Sequence, residues 1–161
     1  MSLVNSAPFK NEPEEQGLSI STLNLGIAQK MIASALAHGR CLSLAPLSVA
    51  VLDAGGHLLA FARSDGSSSM RPQIAIAKAS GALALGVSSR RIGEMAAERP
   101  LFVGALSGIS QAGIVPAAGG VIVLNGEGWA VGAVGITGDT SDNDEACALR
   151  AVAAAGFKAK A

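Results

Sequence analysis

Aromatic side chains are nearly absent from this sequence: tyrosine does not occur, and one Trp with four Phe makes 3% of 161 residues. Such a chain offers few flat walls on which bases or sugars could stack. Cysteine is scarce too. Cys41 and Cys147 are too few and too far apart for a disulfide framework or a zinc site, and read as two buried, reduced thiols. Neither sign of charge is in excess, because 12 basic residues offset 12 acidic ones. A nucleic-acid partner, which needs a basic face to displace counterions, is therefore not expected, and neither is a membrane surface. No apolar run approaches the roughly 18 residues of a membrane span. The start also lacks the basic-then-apolar pattern of a secretory signal, so the cytoplasm is the expected compartment.

Enzyme signatures are missing as well. Gly81 and Gly86 have the spacing of a phosphate loop, but Val87 stands where its lysine belongs. Gly126, Gly128 and Gly132 miss the dinucleotide-binding spacing by one residue and fall on a hairpin. No nucleophile elbow, H-E-x-x-H or C-x-x-C occurs.

What remains is aliphatic. Half of the residues are hydrophobic and 20 are glycine, so the core must be built from Ala, Leu, Ile and Val with backbones in close approach. High hydrophobicity at zero net charge suits subunits that hide surface from water, and a homo-oligomer, dimer or higher, is expected.

Residues 1–18 mix Pro, Asn, Lys and Glu without a period and read as a flexible leader; residues 19–161 read as one domain. Ser19 or Ser21 is placed to cap a helix running to about His38, with Gly39 to end it. Leu47–Leu52 and Leu58–Phe61 read as two strands about the turn Asp53-Ala54-Gly55-Gly56. Helices are predicted from Pro72 to about Gly86, from Ser88 or Ser89 to Arg99, and over Leu101–Ile109. Val121–Leu124, the pair Asn125-Gly126, and Trp129–Ile136 give a second hairpin. A helix over Asp142–Ala155, capped by Ser141 or Asp142, closes the chain. Hairpins joined by helices predict an α+β fold with an antiparallel sheet under flanking helices, and no βαβ rhythm supports a Rossmann sheet.

The stretch from Val49 through Asp53-Ala54-Gly55-Gly56-His57 to Gly66 resembles the first hairpin of the GlcG/HbpS family, which includes the C-terminal domain of PduO-type proteins. Ile76-Ala77-Lys78-Ala79 resembles that family's Lys-Ala helix. Gly119-Gly120-Val121 and the run Gly132–Gly138 are similar to its second hairpin, and Asp144-Glu145-Ala146-Cys147 to the start of its last helix. The resemblance covers about residues 20–157, with four patterns in order. It implies a PAS- or profilin-like antiparallel sheet of about five strands, an oligomer, and haem as a cofactor or ligand. One departure is that Val121 and Ile122 follow Gly120 where the family often carries a proline, so no contact is carried over from that position.

Lys78 stands out on physical grounds. It is the only charged residue between Arg71 and Arg90, on a helix that is apolar nearly all round. Its ammonium must snorkel outward, pair with a carboxylate such as Asp53 or Asp144, or face an anionic ligand. His57, just after the first turn, is a candidate axial contact to haem iron, and equally an ordinary exposed imidazole. Arg63 could pair with ligand carboxylates. His57, Lys78, Arg63, Asp53 and Asp144 are therefore the candidate ligand-binding residues.

The leading expectation is a protein that binds haem, a related tetrapyrrole or another apolar anionic ligand between its sheet and a neighbouring element. The alternatives are an enzyme acting on a small organic acid or haem-like substrate, with Lys78, Asp53 and Asp144 around one cleft, or an accessory oligomeric subunit without catalysis. The residues favour binding over catalysis.

Overall fold

The structure, a computed structural model, describes residues 22–161. The leader over 1–18 and the caps expected at Ser19 or Ser21 lie outside the described residues. Helix α1 (Leu25–Cys41) is capped by Asn24, whose side chain accepts from the Ile27 N–H. Gly39 does not end it. The helix runs on for two residues, and a Cβ at Gly39 would stand 2.6 Å from Leu47 Cδ1, so close packing explains this glycine.

β1 (Ser48–Asp53) and β2 (Leu58–Arg63) form the first hairpin, and β3 (Gly120–Leu124) and β4 (Ala130–Thr137) the second. Between the hairpins lie α2 (Arg71–Leu85), α3 (Ser89–Glu98) and α4 (Pro100–Ile109). α2 stops at Gly86 in the left-handed region, and Ser88 caps α3. α5 (Ser141–Ala154) is capped by Thr140, one residue ahead of Ser141 and two ahead of Asp142, the caps expected. A short strand, β5 (Lys158–Lys160), follows; its Lys-Ala-Lys sequence carries no strand signal.

All pairings are antiparallel, in the order β2-β1-β4-β3-β5, so the two hairpins meet through β1 and β4 at the centre of an open α+β sheet. Alternation divides its faces. Val49, Val51, Val121, Val123, Val134 and Ile136 face α1 and α5, and bury Met31, Ala35, Cys147, Ala151 and Val152 with them. Leu52 and Ala133 face α2. Here the helix backbone lies almost on the strands. A Cβ at Gly135 would overlap the Ala75 carbonyl oxygen, and one at Gly120 the Lys78 carbonyl oxygen. The Gly120 N–H donates to Ser89 Oγ at 2.7 Å, which ties α3 to the same seam.

Of the two cysteines, Cys147 is a buried free thiol, and burial pushes its pKa up. Cys41 is exposed, contrary to expectation, because it is the last residue of α1, beyond the buried turns. No helix among the described residues is long and apolar enough to cross a membrane.

Candidate functional site

Both hairpin turns lie at one end of the sheet, since Asp53 pairs with Gly132 across β1 and β4. They are built alike. Asp53 Oδ1 accepts the N–H groups of Gly55 and His57, each at 2.9 Å. Asn125 Oδ1 accepts those of Glu127 and Trp129, at 3.1 and 2.9 Å. An Asx side chain thus reaches two and four residues ahead in each turn. In each the fourth residue is a glycine at positive φ, Gly56 at 81° and Gly128 at 88°, which a residue with a Cβ rarely adopts. The residue delivered to the next position is His57 in one turn and Trp129 in the other.

Both side chains stand in solvent, His57 at 82% and Trp129 at 69% exposure. His57 Nδ1 lies 3.3 Å from Asp53 Oδ1, and the ring folds over Gly55, where a Cβ would come 2.8 Å from Nδ1. The N–H donors, the His57 backbone first, hold the Asp53 carboxyl below its ordinary 3.8. With Nδ1 turned toward a carboxylate, Nε2 makes no hydrogen bond among the described residues. An exposed imidazole with a free Nε2 is the kind of group that can meet an iron-bearing ligand, and a carboxylate stands 3.3 Å from its other nitrogen.

Two clefts flank the first turn. One, of about 470 Å³, lies between it and the second turn, with Leu23, Trp129 and Val131 as apolar wall and Asp53 at its edge. The other, of about 340 Å³, brings His57 together with Ser80, Leu83 and Gln111. They share Ala54 and Gly55, which form the ridge between them. No group of three or more His, Cys, Asp or Glu that could hold a metal ion occurs among the described residues. A metal at this site would have to arrive within a larger group.

Lys78 and Asp144 lie at the other end of the sheet and hold each other. Lys78 Nζ donates to Asp144 Oδ2 at 2.9 Å and to the Ile136 carbonyl at 3.0 Å, and both side chains are almost wholly buried. Asp144 is thus the partner of Lys78, and Asp53 is not. The Asp139 N–H donates to the second Asp144 oxygen. Burial pushes the Asp144 carboxyl up, against the lowering pull of the Lys78 ammonium. The three residues of the enzyme alternative therefore do not surround one cleft. Arg63 is also remote from His57, at the far end of β2, about 20 Å along the strand at the usual rise per residue. It lines a separate hollow with Arg40, Pro46 and Asp65.

Sequence reasoning passed over Trp129 as a site residue. A signal existed: Asp53-Ala54-Gly55-Gly56-His57 and Asn125-Gly126-Glu127-Gly128-Trp129 share an Asx, a glycine three positions on, and a large ring next.

At the Lys78 end, Asp139 accepts from Asn143 Nδ2, the Ala45 N–H and the Thr140 N–H, which together hold its carboxyl below the ordinary 3.8. A carboxyl whose folded pKa is depressed stabilises the fold above its unfolded value, and the gain is lost as pH falls through the folded pKa. Asp139→Asn is accordingly expected to be less stable than the parent at pH 7, with the gap closing below about pH 3.8. Urea unfolding at both pH values measures it; a gap that widens in acid would contradict the assignment.

Comparison with known proteins agrees with this architecture. A crystal structure of a PduOC:haem complex is 22% identical, with a TM-score of 0.76 over 87% of this chain and 99% of that one, which shows the shared fold. The Klebsiella pneumoniae protein ORFY is 25% identical, with a TM-score of 0.77 over 90% of this chain and 98% of that one. A double mutant of Streptomyces reticuli HbpS is 26% identical, with a TM-score of 0.72 over 93% and 97%. No curated protein matches the chain. The family model described as haem degrading protein HbpS-like matches residues 23–153, from Leu23 at the turn-end cleft to the last helix, and the chain belongs to that HbpS-like family.

Proposed function

We propose that the protein binds haem, or a related apolar anionic tetrapyrrole, at the turn end of its sheet, with His57 as the axial contact. The observation that carries this reading is an exposed imidazole with Asp53 3.3 Å from its Nδ1, standing across the Ala54-Gly55 ridge from a cleft walled by Leu23, Val131 and an exposed Trp129. Bound there, haem supplies an iron that accepts an imidazole nitrogen, and propionates that call for cations. The chain's own residues do the rest. Asp53 places a carboxylate beside the ring and leaves Nε2 open, the apolar wall supplies contact area, and Trp129 offers a face for stacking. The family description and the haem complex of PduOC support the same ligand.

On this reading Lys78 and Asp144 serve the site indirectly, by fixing the frame between α2 and α5. The protein acts as a cytoplasmic homo-oligomer that takes neither nucleic acid nor membrane as partner.

A haemin titration tests the site. Micromolar haemin is expected to shift the Soret band and to quench the fluorescence of Trp129, the only tryptophan in the chain. His57→Ala is expected to weaken binding by about tenfold or more and to alter the Soret position. A parent protein that gives no shift would sink the ligand, and an unchanged spectrum in His57→Ala would remove the axial assignment.

A further inference from the structure

The two edges of the sheet are finished differently. β5 is three residues long and carries Lys158 and Lys160, the charged, short edge that discourages pairing with another chain. β2 is six residues long and has no charge from Leu58 to Ala62. Its outer edge has no strand beside it among the described residues. The Ser64 N–H donates to the Leu47 carbonyl, and Ala62 and Ala60 stand opposite Val49 and Val51. By antiparallel alternation, Phe61 and Arg63 then turn their N–H and C=O groups outward. A groove of about 500 Å³ follows this edge, lined by Leu25, Ile32, Leu36, Ala60 and Phe61. Leu58 is half exposed beside it.

We propose that β2 pairs antiparallel with β2 of a second copy, and that the partner's Arg63 completes the ligand site at His57. A two-fold axis normal to a continuous sheet requires one residue to face its own copy. With Phe61 there, the outward-facing groups of Phe61 and Arg63 engage, and the partner's Arg63 falls opposite Leu59, the bulged residue of β2, two residues from His57. The charges agree with this pairing. Arg63 has no carboxylate partner among the described residues, while Asp53 presents a carboxylate beside His57. Within one chain Arg63 and His57 are separated by the length of β2; across the seam they share one end. The dimer would thus assemble two sites, each with an imidazole from one copy and a guanidinium suited to a carboxylate from the other. The second half of the proposal rests on the haem reading above, and the first half does not.

Three measurements on the full chain test it. Light scattering and sedimentation are expected to find a dimer, and Phe61→Lys, which places two ammonium groups at the seam, to raise its dissociation constant by at least about tenfold. Arg63→Glu, which leaves the apolar edge intact, is expected to raise it about fivefold. A monomeric parent, or dimers of unchanged affinity in both variants, would overturn the pairing. The third measurement mixes His57→Ala with Arg63→Ala under conditions of subunit exchange. Each variant alone is expected to bind haemin weakly. The mixture should recover about a quarter of the parent's sites, because half of its dimers are mixed and each has one intact site. No recovery in a mixture shown to exchange would overturn the shared site. A parent that dimerises through Phe61 but takes no haemin would refute the ligand and leave the seam standing.

Discussion

Lys78→Met is expected to cost the fold about 3–5 kcal/mol, a drop in Tm of about 6–20 °C for a chain of this size. The loss follows from what it strands. Asp144 is almost wholly buried, and without the Lys78 ammonium it keeps only the Asp139 N–H as a donor. The Ile136 carbonyl loses its side-chain donor as well. Burial already pushes the Asp144 carboxyl up, and in the variant only the Asp139 N–H and the charge of Arg71 still oppose that push. An acid whose folded pKa is raised stabilises the fold below its unfolded value, and that contribution is lost as pH rises through the folded one. The variant should therefore lose less relative to the parent at about pH 4 than at pH 8. Pairing Lys78→Met with Asp144→Leu removes both charges, and is expected to recover most of the loss. Urea unfolding of the single and double variants measures the cycle. A single variant within about 1 kcal/mol of the parent would show that the pair is dispensable.

The second large effect concerns the seam under α2. Gly135→Ala is expected to destabilise by about 3 kcal/mol or more, at the upper end for a single added methyl group. The added carbon would overlap the Ala75 carbonyl oxygen and stand 2.9 Å from the Ala79 nitrogen. Both are backbone atoms of one helix, so no rotamer change relieves the clash, and α2 must lift from β4 along its length. The control is Gly104→Ala on α4, where nothing lies within 4 Å of the new carbon. There, better helix propensity should stabilise by up to about 1 kcal/mol. Thermal unfolding of both proteins decides the matter. Equal melting temperatures would mean that α2 can shift freely over the sheet.

Much of this fold was legible because its signals are local. Asp53 and Asn125 announce their turns through side chains that bond the next few residues, and such chemistry survives in sequence alone. Four strands and five helices followed from it, in the observed order. Helix ends were harder to read, because several polar residues near each end could cap and packing chooses among them. Asn24 and Thr140 cap where serines or Asp142 were expected. Gly39, expected to stop α1, instead admits Leu47 against the helix. β5 was invisible because its pairing with β3 lies far away in sequence and its residues have no strand character.

The candidate site divides in the same way. Lys78 was conspicuous as a lone charge among apolar neighbours, but the choice of Asp144 over Asp53 depends on where α5 lands. That Arg63 lies remote from His57 also follows from topology, since β2 carries them to opposite ends. Trp129 required the two turns to be compared with each other, a repeat only five residues long.

The glycine-paved contact between α2 and the sheet has a kinetic consequence. Where backbone rests on backbone, no side chain can swing aside to admit a guest, and that face has no gate to open. A molecule held at the rim would then load and leave at rates set by the solvent-facing loops, without waiting for the protein to breathe. The empty and loaded forms would resist amide hydrogen exchange equally where α2 lies on the strands, from Ala75 to Ala79, and differ around the two turns and the cleft beside them.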